Sequence, residues 1–174
     1  MTAIDIRAAV PADIAAITRI YADAVLHGTA TFELDPPGET EMARRLAALT
    51  GGGFPYLVAE SDGAVAGYAY AGPYRERPAY RFTVEDSIYV ATQAQRRGIG
   101  RVLIERLTAE AQQRGFRQMI AVIGDSRQAA STALHAAAGF HLIGTFDAVG
   151  FKFGQWLDTV LMQRPLGDGA GTTP

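Results

Sequence analysis

Gln95-Arg96-Arg97-Gly98-Ile99-Gly100-Arg101 is the stretch on which the reading of the whole chain turns. It stands between a run rich in β-branched and aromatic residues, Phe82 to Val90, and an amphipathic run, Ile99 to Arg114, with Val102, Leu103, Leu107 and Ala111 on one side. Two glycines at a strand-to-helix junction let the chain turn tightly and bring several backbone N–H groups toward one point, while the helix start adds partial positive charge. A diphosphate is well received there, and Arg96, Arg97 and Arg101 add full charges. A dinucleotide fingerprint needs a third glycine or alanine three residues after Gly100, where Leu103 stands. A nucleotide P-loop needs Gly-Lys-Ser or Gly-Lys-Thr, which the stretch does not supply. The remaining alternative is a plain glycine turn with arginines in solvent, and the strand-helix setting counts against it.

Outward from this junction, the periodicity predicts a strand over Ala3 to Ala8, a helix opening at Pro11 with Ile14, Ile17, Tyr21, Ala24 and Val25 inward, and a second helix over Thr40 to Leu49. Tyr56 to Glu60 and Ala64 to Ala71 read as a hairpin closed by the Asp62-Gly63 step. After the junction come the helix stopped by Gly115, an apolar strand over Gln118 to Ile123, an alanine-rich helix over Ser126 to Ala138, and closing strands over Phe140 to Phe146 and Asp158 to Arg164 around a glycine-punctuated loop. The order β-α-α-β-β-β-α-β-α-β-β predicts an α/β (α+β) fold, a mixed twisted sheet of about seven strands with helices on both faces. Residues 1–166 read as a single domain, and 167–174, small and polar, as a flexible tail.

A chain of 174 residues with 48% hydrophobic and 20% charged residues is long enough for one buried core and short for two. The net charge of -2 leaves no global field to draw nucleic acid or an anionic membrane, so any anion site is local. With no cysteine, disulfides, thiolate metal sites and acyl-cysteine chemistry drop out, which fits a reducing, cytoplasmic setting. No segment reaches the roughly 20 apolar residues of a membrane span, and the first residues carry no secretory signal. His27, His135 and His141 lie in no ligand-like spacing, so no metal is expected. Gly124-Asp125-Ser126 resembles half of a nucleophile elbow, but Gln128 stands where its closing glycine belongs.

Gln95-Arg96-Arg97-Gly98-Ile99-Gly100 resembles the Q/R-x-x-G-x-G/A motif of GNAT acetyltransferases, whose backbone amides hold the pyrophosphate of coenzyme A. The resemblance to the phosphinothricin and methionine sulfoximine acetyltransferase subgroup extends from Ile6 to Leu166. It is carried by Thr29-Ala30-Thr31-Phe32-Glu33, by Gly67 to Tyr80, by Val84-Glu85-Asp86-Ser87-Ile88-Tyr89-Val90 and by Val149 to Asp158. It implies acetyl-CoA as cosubstrate, a small amino acid or analogue as acceptor, no metal, and a homodimer. It also implies that Ile88, Tyr89 and Val90 offer backbone groups to the pantetheine arm between two splayed strands, and that Arg96, Arg97, Gly98, Ile99, Gly100 and Arg101 cradle the diphosphate.

By the same resemblance Glu85 is the general base, with Asp86 its neighbouring rival; an α-ammonium must lose a proton before its nitrogen can attack a thioester. Arg77 and Tyr80 resemble the subgroup's substrate-binding residues, a guanidinium being suited to grip a carboxylate in two prongs. By the same resemblance Phe32 walls the other side of the amino-acid pocket, with core packing as its equal alternative. Gln128 stands where relatives commonly place an asparagine that contacts the cofactor, and Ser131 one turn on is a second donor to it; each has a plain surface reading beside this one. His135, among alanines, reads as packed, and Trp156 as part of an interface or a lid. Two rival functions stay open: acetylation of a protein N-terminus or a polyamine, and a non-catalytic coenzyme A-binding sensor. Arg77 speaks against the first and Glu85 against the second.

Overall fold

A computed structural model describes residues 4–174. The elements are β1 (Asp5–Ala8), α1 (Ile14–His27), α2 (Glu39–Gly51), β2 (Tyr56–Ser61), β3 (Ala64–Pro73), β4 (Thr83–Val90), α3 (Ile99–Gln113), β5 (Gln118–Gly124), α4 (Ala129–Ala137), β6 (His141–Lys152) and β7 (Gln155–Pro165). This is the predicted order; Ala3, placed in the first strand by its sequence, lies outside the described residues. Seven strands form one sheet in the order β1-β2-β3-β4-β5-β7-β6. The β4–β5 pair is parallel because α3 carries the chain back along the sheet between them, and the other neighbours are antiparallel.

Strand alternation sorts the core into two layers. Tyr56, Tyr68, Tyr70 and Tyr89 point to the face covered by α1 and α2, where Tyr89 meets Tyr21 edge-on at 5.0 Å and Tyr68 stacks on Tyr89 at 5.3 Å. The other face is covered by α3, whose Ile99, Leu103, Ile104, Leu107 and Ala111 are buried at helical spacing. Gly67 lets that helix close on the sheet: a Cβ there would meet the Tyr89 carbonyl at 3.0 Å and Ile99 at 3.2 Å. α4 lies on the same side, its Leu134 packed 3.2 Å from where a Cβ on Gly100 would stand.

The Asp62-Gly63 step turns as its residue types predict, with φ of 56° and 75°. The closing strands differ from expectation. The stretch between Phe146 and Asp158, read as a loop from its glycines, is strand on both sides of a tight turn at Phe153 (φ 53°) and Gly154 (φ 72°). Register shifts between Phe146 and Gly150, where Ala148 adopts φ 51° and donates its N–H to the Asp158 carboxylate at 2.9 Å. The bulge breaks the alternation that would have announced a strand, and a side chain satisfies the displaced amide. Past Leu166, itself 1% exposed, the chain makes further turns, and the Arg117 side chain donates to the Thr172 carbonyl at 2.9 Å.

Candidate active site

The sheet opens at its centre. β4 and β5 pair from Thr83↔Gln118 to Asp86↔Ala121 and no further, although β4 continues to Val90 and β5 to Gly124. Beyond Asp86, β5 stays with β7 and β4 with β3. Ile88, Tyr89 and Val90 therefore line a wedge on which no strand pairs with the β5-facing edge of β4. Tyr89 sends its ring into the aromatic layer, where burial pushes its phenol well up, and its carbonyl lies against Gly67 of β3, so by strand alternation the backbone groups of Ile88 and Val90 are those that face the wedge.

The Gln95–Arg101 turn stands at the mouth of this wedge, directly after β4. Arg96 adopts φ 59° and Gly98 φ 85°, the left-handed conformation that glycine takes without strain, and a Cβ on Gly98 would meet nothing within 4 Å. The turn thus leaves open space above the first amides of α3, as an anion cradle requires. Ile99 belongs to the core at 1% exposure, so it offers backbone only. The arginines are less free than the sequence implied. Arg97 pairs with Asp62 of the β2–β3 turn at 2.9 Å, and Arg101 pairs with Glu105 one helical turn on at 2.8 Å. Arg96 is exposed.

Glu85 sits one residue before the last paired position, on the α1/α2 side of β4. Burial, then the charge of Asp86, push its carboxyl up to about 7, and Arg75 pulls slightly the other way. Its rival Asp86 faces the α3 side, 7% exposed, and is engaged: His135 Nε2 lies 2.9 Å from its Oδ2. The imidazole is 4% exposed and its Nδ1 stands 2.8 Å from the Ser131 carbonyl. Burial presses its pKa down, but the hydrogen bond and charge of Asp86, with the Ser131 carbonyl, outweigh it and leave a net rise. Ser131 uses its carbonyl on His135, and Gln128 donates its amide to Thr29 Oγ1 at 2.9 Å. Both residues brace the structure on this side of the wedge.

On the Glu85 side the floor runs from Ile120 through Val122, 38% exposed, to Gly124. Phe32 arches over its end. A Cβ on Gly124 would meet the Phe32 ring at 2.9 Å and the Thr29 carbonyl at 2.5 Å, and one on Gly150 would overlap the same ring. Two glycines from separate strands therefore make the seat of one aromatic wall. The β3–β4 connection supplies an open depression lined by Tyr74, Arg75, Glu76, Arg77 and Tyr80, with Tyr74 and Tyr80 edge to face at 5.6 Å. Arg77 caps the short turn of helix at 78–80 and Tyr80 is 38% exposed. Arg75, which sequence reasoning passed over, is the guanidinium whose charge reaches Glu85. In Tyr74-Arg75-Glu76-Arg77 two arginines stand two apart, and spacing alone did not choose between them. Lys152 was missed as well: 3% exposed, it donates to the carbonyls of Gly28 and Thr31 beside Phe32.

A split sheet whose unpaired strand edge leads to a glycine turn at a helix start offers backbone donors to an extended amide-bearing molecule that ends in an anion. Among the described residues no group of three or more His, Cys, Asp or Glu is placed to hold a metal ion, and no helix is long and apolar enough to cross a membrane. Residues 6–161 match the family model described as acetyltransferase (GNAT) domain. The chain is 55% identical over 162 residues to phosphinothricin N-acetyltransferase of Alcaligenes faecalis, covering 93% of this chain and 82% of that protein. It is 43% identical to the L-methionine sulfoximine/L-methionine sulfone acetyltransferase of Salmonella typhimurium, covering 95% and 96%. A phosphinothricin acetyltransferase from Sinorhizobium meliloti, solved in complex with AcCoA, matches with a TM-score of 0.96 at 53% identity over 98% of this chain and 92% of that one. On its fold and its sequence together, the chain belongs to the GNAT acetyltransferase family.

Proposed function

We propose that this protein transfers the acetyl group of acetyl-CoA to the α-amino group of a small amino acid or analogue, of the phosphinothricin, methionine sulfoximine or methionine sulfone type. The observation that supports the reading is the parting of β4 from β5 after Asp86, next to Glu85, the carboxylate assigned here as proton acceptor. Acetyl-CoA supplies an activated thioester, and the reaction exchanges its C–S bond for a C–N bond and releases the thiol. Glu85, with its pKa near 7, takes the ammonium proton directly or through a water, and is basic enough to do so at neutral pH. Backbone N–H groups at the unpaired end of β4 polarise the acetyl carbonyl. The amides at Gly98 to Gly100, with Arg96 and Arg97, hold the diphosphate. Arg75 or Arg77 grips the acceptor carboxylate, and Phe32 and Tyr80 wall its side chain.

A homodimer through β6 belongs to the same proposal. This strand is the sheet edge and leaves Leu142, Ile143, Phe146, Val149 and Phe151 more than half exposed, with Trp156 at 66% beside Phe151. So large an apolar row on an unpaired edge calls for a cover. The chain's lack of cysteine suits work in the cytoplasm.

The test is thiol release from acetyl-CoA across an amino-acid panel, with spermidine and an N-terminal peptide as comparators. Turnover on methionine sulfone or phosphinothricin well above both comparators is expected. Preference for spermidine or the peptide would replace the acceptor class, and acetyl-CoA binding without turnover on any amine would make the protein a sensor.

A further inference from the structure

A lysine ammonium at 3% exposure needs compensation, because a buried charge is costly unless paired or hydrogen-bonded. At Lys152 the compensation is two backbone carbonyls, Gly28 O at 2.9 Å and Thr31 O at 2.8 Å. Glu33 contributes its charge from further away, and burial pulls the lysine pKa down. Gly28 caps the C-terminal end of α1, where the helix dipole is negative, so a cation there is placed favourably. Thr31 precedes Phe32, and its hydroxyl is tied to Tyr21 at 2.9 Å.

Lys152 and Gly150 stand two apart on one face of β6, and Gly150 is half of the seat under the Phe32 ring. The strand that holds the ring from below therefore also holds, through the ammonium, the backbone from which the ring projects. The other ties on this segment come from elsewhere: Thr29 Oγ1 donates to Asp125 at 2.9 Å and accepts from Gln128 at 2.9 Å. Those bonds fix the start of the segment relative to α4. The ammonium fixes its end relative to the acceptor wall.

We propose that Lys152 is a positioning residue for the acceptor: its ammonium clamps the Gly28–Thr31 backbone to β6 and thereby keeps Phe32 in its seat on Gly124 and Gly150. It touches neither reacting atom, so it governs acceptor binding and leaves the chemistry and the cofactor site alone. This rests on the amino-acid acetyltransferase reading above.

The experiment compares wild type, Lys152→Met, Lys152→Gln and Gly150→Ala on methionine sulfone, with both Michaelis constants, kcat and thermal midpoints measured. Lys152→Met keeps the length of the side chain and removes all donors; it is expected to raise the acceptor KM about tenfold, with kcat within about threefold and the acetyl-CoA KM unchanged. Lys152→Gln, which keeps part of the donor capacity, falls between. Gly150→Ala displaces the ring while Lys152 remains, and reproduces the acceptor-KM effect. An unchanged acceptor KM in Lys152→Met, or a fall in kcat with both constants unmoved, overturns the proposal. Failure of Lys152→Met to fold overturns it too, by assigning the residue to stability alone. A wild type inactive on every amino acid would instead sink the reading on which the proposal rests.

Discussion

His135 Nε2 lies 2.9 Å from Asp86 Oδ2 while His135 Nδ1 lies 2.8 Å from a carbonyl, so Nδ1 donates and Nε2 shares a hydrogen with the Asp86 carboxyl. Burial opposes the charged ring, but the hydrogen bond and charge of Asp86 outweigh it and favour the imidazolium at the apex of the wedge. Asp86→Ala leaves that cation without a partner and is expected to cost about 3–5 kcal/mol in urea unfolding. Asp86→Asn, whose amide can donate to a neutral Nε2, should cost about 1–2 kcal/mol. The folded pKa of His135 is raised, so its contribution is full below the unfolded value of 6.5 and fades as pH rises through the folded value. The stability gap between wild type and Asp86→Asn should narrow on the alkaline side; a gap independent of pH would contradict the ion pair.

Glu85→Gln should lower turnover at pH 7 by about two orders of magnitude, the usual weight of a general base, with the acetyl-CoA dissociation constant unchanged. In wild type, kcat/KM should rise through a pKa near 7, and that limb should vanish in the variant.

The same substitution should stabilise the protein above neutrality. Folding raises the Glu85 pKa from 4.5 to about 7, so its ionisation opposes folding progressively across that window and fully above it. After discounting for its partial contact with solvent, the gain at pH 8 is about 1–2 kcal/mol, or roughly 2–6 °C in Tm, and it disappears below pH 4.5. Calorimetry at the two extremes of pH reads it directly.

Arg97→Glu should weaken acetyl-CoA binding at least about tenfold at low salt and flatten its dependence on ionic strength. Because Arg97 is held by Asp62, Asp62→Asn should release it and tighten binding modestly, roughly twofold, while keeping a good turn sequence before Gly63. Titration calorimetry at two salt concentrations separates the cases, and an Arg97→Glu protein with wild-type affinity would remove that arginine from the cradle.

Light scattering of the wild type tests the proposed homodimer, and Phe151→Glu combined with Trp156→Ser is expected to give a monomer, since the two rings sit 5.2 Å apart on the exposed edge hairpin. A monomeric wild type, or a dimer whose mass the substitutions leave unchanged, would overturn the proposed β6 interface.

Much of this was readable from residue types, and the failures have physical causes. The Asp62-Gly63 turn, the left-handed Gly98 and the glycine stops at Gly115 and Gly139 follow from what those residues can do locally, and φ of 85–86° at the last two agrees. Phe153 at φ 53° and Ala148 at φ 51° have no such signature, which is why the β6–β7 hairpin passed for a loop. Resemblance singled out Glu85 as the proposed base, whereas its raised pKa depends on burial that only the folded chain creates. Lys152 and His135 carried no local signal: the first finds its carbonyls 121 and 124 residues away, the second its carboxylate 49 residues away. Arg75 and Arg77 look alike in sequence, and only the fold makes the charge of Arg75 felt at Glu85.

The wedge after Asp86↔Ala121 has a consequence for the empty protein. A sheet interrupted in its middle keeps inner ladder positions that water must satisfy, and water does so transiently. The amide hydrogens of Ile88 and Val90, which alternate away from β3, should accordingly exchange with deuterium faster than those of the flanking strands. They should become protected when a guest with amides of its own lies down in the gap, as though the sheet had been given the rung it lacked.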